Sequence, residues 1–221
     1  MKRLGIKSVR DAVLGAIDSD RRATIFEELK SHGARIYVLA GAIRDAIASY
    51  EHGNVPRVPR DYDFVVSDIS REQFYGLLSS QGNRNRHGGI VLQDAALPTW
   101  DIWRMEDTVG IRKTAAPCSI ENVLRSFSLD CNAIALDMET GIFLDAGAIR
   151  AIKQRRIDFV AGAIRHSANT FAAKALLLQM RLQYSPSRDL DHFALTHLSI
   201  GHLQHEVSKV FPGFRELRIT S

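Results

Sequence analysis

Cysteine is scarce in this chain: Cys118 and Cys131 are the two in 221 residues. Two are too few for a disulfide framework, and their spacing fits no zinc motif, so the sequence points to a reducing, cytoplasmic setting. Long apolar runs are missing as well, and nothing approaches the length of a membrane span. The N-terminal stretch MKRLGIKSVRDAVLGAID starts basic, but Arg10 and Asp11 fall where the apolar core of a signal peptide would have to run. The expectation is a chain with no leader and no membrane partner. Internal repeats, low-complexity tracts, a P-loop and a Ser/His/Asp constellation are also absent. A membrane protein, a disulfide scaffold, a P-loop NTPase and a triad hydrolase are thereby set aside.

What is present is a hydrophobic content of 45%, enough for one sizeable core. The net charge is +4 and the pI about 9.2, with arginine supplying most of the positive charge. A guanidinium fork can donate two hydrogen bonds to one phosphate, so this excess permits a nucleotide or nucleic-acid partner. An ordinary solvated surface accounts for it equally well.

Patterning predicts an α/β (α+β) head over residues 1–158 and a helical segment over 159–221. Helices are expected near 8–18, opened by Ser8 and Asp11 as a capping box, and 20–31, closed by Gly33. RIYVLA (35–40) reads as a strand that passes into the helix AGAIRDAIASYEHG. Pro56 and Pro59 mark a loop before the strand DYDFVV. Ser70 caps a helix to about 80, and GNRNRHGG is a turn-rich loop. GIVLQD and PTWDIWR read as strands, SIENVLRS as a helix, and FSLDCNAIALD and GIFLDA as strands around METG. Helices follow at AGAIRAIKQ, 164–184 and 188–210.

Three features carry chemistry. In VLAGAIRD a strand runs through the small turn Ala40-Gly41 into a helix. Small residues let a phosphate approach, a helix N-terminus offers N–H groups and partial positive charge, and Arg44 points from the first turn. In RDYDFVV, Asp61 and Asp63 share one face of a strand, about 6.5 to 7 Å apart, with Tyr62 on the other. Two adjacent carboxylates are costly to bury unless a cation neutralises them, and magnesium suits hard oxygen ligands and phosphates. A polar strand end facing water is the plain alternative. In PTWDIWRMED, Asp101 lies on a later strand with Trp103 on its face. A third carboxylate completes a site for two metals, although an edge-strand charge would read the same way.

In this order the blocks resemble the nucleotidyltransferase superfamily that includes DNA polymerase beta. They are most similar to the head domain of class II CCA-adding enzymes and bacterial poly(A) polymerases. LAGAIRD (39–45) matches the family's Gly-Gly, Ala-Val-Arg-Asp turn, and Asp61 and Asp63 match its DxD. Arg104 and Glu106 match its Arg-x-Glu, and CNAIALDMETGIFLDAG matches its Asn-Ala block, with Asn132 and Asp145 in place. The resemblance, over residues 35–158, implies a mixed-sheet head followed by a helical neck-like segment. It implies an enzyme that transfers NMP from an NTP to a hydroxyl, with Mg2+ or Mn2+ held by Asp61, Asp63 and Asp101. Ala40, Gly41 and Arg44 would hold phosphates, with Arg104 and Asn132 as further nucleotide contacts. The implied acceptor is RNA, such as a tRNA 3′ end.

The departures are specific. Ala40 stands where the family has its first glycine. Ser126-Phe127-Ser128 replaces the Arg-Arg-Asp that helps hold ribose. The Glu-Asp-x-x-Arg motif that reads the base would fall near TFAAK (170–174), where only Lys174 is charged. The helical body and tail domains that grip tRNA have no counterpart, which implies a core rather than a complete CCA-adding enzyme. A binding module without turnover, a protein or small-molecule acceptor, and a toxin or defence role stay open.

Elsewhere, His202 and His205 share a helix face but lack a third ligand, and His192 and His197 add none, so packing explains them better than metal. NRNRHGG is either a basic loop that touches phosphate or a solvated turn. AAKALLLQM (172–180) packs on the head or builds a homodimer interface. Cys131 reads as core.

Overall fold

A computed structural model describes residues 5–55, 58–160 and 168–210. The helices are α1 (Gly5–Asp18), α2 (Thr24–Ser31), α3 (Gly41–His52), α4 (Arg71–Leu78), α5 (Val109–Thr114), α6 (Ile120–Arg125), α7 (Ala148–Gln154), α8 (Ala168–Leu182), α9 (Arg188–His197) and α10 (Ile200–Val210). The strands are β1 (Arg35–Leu39), β2 (Asp61–Ser67), β3 (Asn83–Arg84), β4 (Ile90–Leu92), β5 (Thr99–Arg104), β6 (Ile134–Asp137), β7 (Phe143–Asp145), β8 (Arg156–Ile157) and β9 (Ser185–Pro186).

Seven strands form one mixed sheet in the order β3-β4-β5-β2-β1-β6-β7. The pair β2–β5 is parallel, and the other neighbours are antiparallel. Alternation decides the faces. Ile36, Val38, Phe64, Val66, Trp100, Ile102, Ile134 and Leu136 point into the main core, under α1, α2, α3, α4 and α7. Trp100 is fully buried there, stacked on Phe26 at 4.9 Å, with the Arg22 guanidinium 4.6 Å over its ring. Burying one such side chain contributes roughly 3 kcal/mol. The opposite face carries Tyr37, Leu39, Val65 and Ala135, and these pack on Ile111, Ile120, Val123 and Leu124 of α5 and α6. This second core covers only part of that face. The remainder holds the aspartates.

Local signals act as their chemistry predicts. Ser70 and Gln73 complete a reciprocal capping box on α4, and Gly53 closes α3 in the left-handed region. Asp145 accepts from the N–H groups of Gly147 and Ile149 and so caps α7. Two expectations fail at the level of elements. FSLDCN is a helical turn (Asp130–Asn132) before a shorter strand, because Asp130 folds back to accept from the N–H of Cys131. The segment 188–210 is two helices, broken at Leu198-Ser199, where Leu198 is extended. The helix α5 was not anticipated at all.

The described residues of the helical segment share the core of the head. Phe171, Ala175, Tyr184 and Leu190 are buried in the main cluster, and β8 pairs with β9 across residue 158. The run 172–180 therefore packs on the head. Residues 164–167 of the expected helix lie outside the described residues. No described helix is long and apolar enough to cross a membrane.

Candidate active site

The register of the sheet brings the three predicted carboxylates to one face. Asp63 of β2 stands directly opposite Asp101 of β5, and Asp61 lies one same-face step away, opposite Thr99. On its other side Asp63 faces Leu39, the last residue of β1. The chain then turns at Ala40 into α3, so the first turn of that helix starts beside the carboxylates. Strand β5 is interior, with β4 on its other side, so Asp101 is no edge-strand charge.

Ala40 makes that turn at φ 50° and ψ −110°, a backbone region that suits glycine. Its N–H donates to the Ile134 carbonyl at 2.9 Å. Ala40 therefore shapes the turn but has no N–H to give a phosphate, which corrects the expectation for that residue. No side chain caps α3, and its first internal bond runs from the Arg44 N–H to the Ala40 carbonyl. Arg44 is buried. It pairs with Asp45 at 2.7 Å and donates to the Asn132 side-chain oxygen, so two predicted residues meet here. Asp45 also binds Arg181 of α8.

Electrostatics set the carboxylates apart. Burial pushes the Asp63 carboxyl up to about 7, and the charges of Asp61 and Asp101 add to the effect against Arg44 and Arg60. Burial also raises Asp101 to about 6, opposed by a hydrogen bond from Asn85 and helped by Asp61. Asp61 is half-exposed and pairs with Arg60 at 2.6 Å. Asp101 is engaged by Asn85 at 2.9 and 3.2 Å. Among the described residues, no group of three His, Cys, Asp or Glu side chains stands where it could hold one ion. In kind, however, the donor set fits a hard divalent cation: three carboxylates share a face, and each added negative charge raises the cost of the others.

Arg104 is not brought to this place. It sits three residues beyond Asp101 on β5, opposite Val66, and pairs with Glu106 at 3.0 Å. At about 3.3 Å per residue that is about 10 Å along the strand. His202 of α10 lies 3.2 Å from the hydroxyl of Ser199, the residue just before that helix.

Two clefts share Ser128, Phe171 and Lys174, and one reaches Arg60, the partner of Asp61. One, of about 640 Å³, is lined by Arg60, Phe127, Asn132, Lys174, Leu178 and Arg181 among others. The second, of about 710 Å³, is basic and lined by Arg86, His87, Arg112, Lys113, Phe171 and Lys174. The sequence reading missed Asn85, Arg60 and Arg181. Arg60 lies beside the DxD and Asn85 in the flagged loop NRNRHGG, so both were visible, but only the fold shows what they touch.

No family model and no curated protein matches the sequence. Solved structures do match. A tRNA-processing enzyme in an apo form superposes with a TM-score of 0.59 and 20% identity over 84% of this chain. A CCA-adding enzyme in complex with CTP gives 0.59 and 16% over 92%. A tRNA nucleotidyltransferase complexed with a primer tRNA and an incoming ATP analogue gives 0.58 and 21% over 84%. This chain spans about half of each: 50%, 51% and 55%. At this identity the likeness shows the fold alone, shared with these structures over most of this chain.

Proposed function

We propose that this chain is a nucleotidyltransferase that moves a nucleoside monophosphate from an NTP to an acceptor hydroxyl. The observation that carries the proposal is the β2–β5 register, which sets Asp63 beside Asp101 with Asp61 on the same face. The uncapped start of α3 and the adjoining clefts support it.

The hydroxyl oxygen forms a bond to the α-phosphorus, and the bond from that phosphorus to its bridging oxygen breaks. Pyrophosphate leaves with the electron pair. Asp101 takes the hydroxyl proton, its basicity having been raised by burial towards the working pH. The first-turn N–H groups of α3, from Gly41 onwards, hold the β- and γ-phosphates. Arg44 adds a fixed positive charge, oriented by Asp45 and Asn132. Arg60, Arg181 and Lys174 place further charge around the 640 Å³ cleft. A divalent cation, Mg2+ or Mn2+, held by Asp61, Asp63 and Asp101, would supply charge neutralisation at the reacting phosphates. Catalysis is otherwise positioning and electrostatics.

The proposed acceptor is RNA, with a tRNA 3′ end first. The basic 710 Å³ cleft and the primer tRNA named in one structural neighbour support that choice. A second reading, a nucleotide-binding module without turnover, draws on Ser126-Phe127-Ser128 standing where the resemblance expects a ribose-holding motif. One experiment separates them. Purified protein, total RNA and each α-labelled NTP are incubated with Mg2+ or Mn2+, beside the Asp61→Ala/Asp63→Ala double variant. Label in RNA with wild type alone supports the transferase. Label in protein or a small molecule moves the acceptor, and no label from a folded protein favours the binding module.

A further inference from the structure

The third carboxylate has a dedicated holder. The Asn85 amide nitrogen donates to both Asp101 oxygens, at 2.9 and 3.2 Å. Its amide oxygen accepts from the N–H groups of His87 and Gly89, at 2.8 and 3.0 Å. Backbone N–H groups only donate, so the atom facing them must be the oxygen and the atom facing Asp101 must be the nitrogen. The backbone of Asn85 is fixed as well: its N–H donates to the Gly89 carbonyl at 2.8 Å, and its carbonyl accepts from Gly88 at 3.1 Å.

Space around this contact is closed. A Cβ on Gly89 would lie 2.8 Å from the Asn85 amide nitrogen and 2.8 Å from an Asp101 oxygen. The loop is tied down again where the Tyr75 hydroxyl donates to the Gly88 carbonyl at 2.7 Å. Asp61 has a different arrangement, being half-exposed and paired with its sequence neighbour Arg60.

We infer that Asn85 is the positioning residue of Asp101, and that the loop 85–89 is built to present this amide. Resting on the proposed transferase reading, the inference gives Asn85 one task. It fixes the orientation of the Asp101 carboxylate on its strand and keeps it from swinging to another donor. Without this hold, one arm of the cation- and proton-handling set is free to rotate. Loss of such an outer partner typically costs 10–100-fold in metal affinity or activity.

The test compares wild type with Asn85→Ala, Gly89→Ala and Tyr75→Phe. Gly89→Ala removes no functional group but wedges Asn85 and Asp101 apart, so it is an independent perturbation if Asn85→Ala folds poorly. Tyr75→Phe loosens the loop without touching Asp101. Binding of Mn2+ alone is read from the electron paramagnetic resonance signal of the free ion, and single-nucleotide incorporation gives kcat and KM. Expected for both site variants is a 10–100-fold weaker Mn2+ affinity, a matching fall in kcat, and a KM for NTP within about threefold of wild type. Tyr75→Phe, which loosens the loop but leaves the Asn85 amide in place, should lose less than either site variant. Mn2+ affinity within twofold of wild type in both site variants overturns the inference. Mn2+ binding needs no turnover, so an inactive wild type would count against the transferase reading and leave this comparison intact.

Discussion

Replacing Asp63 by asparagine should stabilise the metal-free protein at high pH and weaken its response to magnesium. In the unfolded chain this carboxyl titrates near 3.8, whereas in the folded protein burial and its neighbours hold it near 7. Between those values the folded state binds more protons than the unfolded one, so stability falls as pH rises. The full cost is present above pH 7 and absent below about pH 4. A rise of that size corresponds to about 4 kcal/mol. The side chain keeps some contact with solvent, so we halve this to about 2 kcal/mol. Asparagine has nearly the same shape and never ionises. In urea denaturation with EDTA, Asp63→Asn should equal wild type at pH 4 and exceed it by about 2 kcal/mol at pH 8. In thermal melts that is about 4–8 °C for a chain of this length. Millimolar Mg2+ should then raise wild type and leave the variant almost unmoved, closing the gap. A variant no more stable than wild type at pH 8 in EDTA would refute the account of why these aspartates lie together.

The turn before α3 gives a second prediction. Ala40 already occupies a conformation costing a side chain roughly 1–3 kcal/mol, so Ala40→Gly should change stability by less than about 1 kcal/mol, strain relief offsetting the lost methyl and chain entropy. Ala40→Val, β-branched and buried at the same φ, should cost about 3 kcal/mol, read from urea midpoints. Arg181→Met removes the pair with Asp45 and one charge from the cleft wall. Because the side chain is half-exposed, stability should change by less than about 1 kcal/mol while KM for NTP rises about tenfold. Activity should climb as Asp101 and Asp63 lose protons between about pH 6 and 7, and this limb should move to lower pH as Mg2+ is raised, since cation and proton compete for the same oxygens. A pH profile insensitive to Mg2+ would contradict that competition.

Much of the architecture was legible in short-range order. A continuous apolar run in RIYVL and alternation in DYDFVVS and TWDIWR place their strands, and Ser70, Gly53 and METG place caps and turns by their own side-chain and backbone chemistry. Asp61 and Asp63 share a face by the two-residue period alone. Arg44 could be placed in the first turn of α3 by counting. The failures have local causes too. The FSLDCN turn depends on Asp130 bonding back to its own backbone, and the break at Leu198-Ser199 lacks a glycine or proline to announce it.

Long-range order decided the rest. Periodicity says that Asp101 is on a strand, but only parallel pairing with β2 sets it opposite Asp63 rather than one residue off, which would turn it to the other face. Arg104, three residues further on, matched a motif, and strand rise sets it about 10 Å from Asp101 along β5, opposite Val66. Arg181 and Asp45 are 136 residues apart in sequence and Asn85 and Asp101 are 16 apart. No local rule pairs them, because such contacts arise when the sheet, its connecting loop and α8 pack together. The sequence by itself thus determined which residue types could bind phosphate and cation and on which elements they lie. The tertiary structure decided which of them face one another, since distance between chain segments is a property of packing and not of spacing.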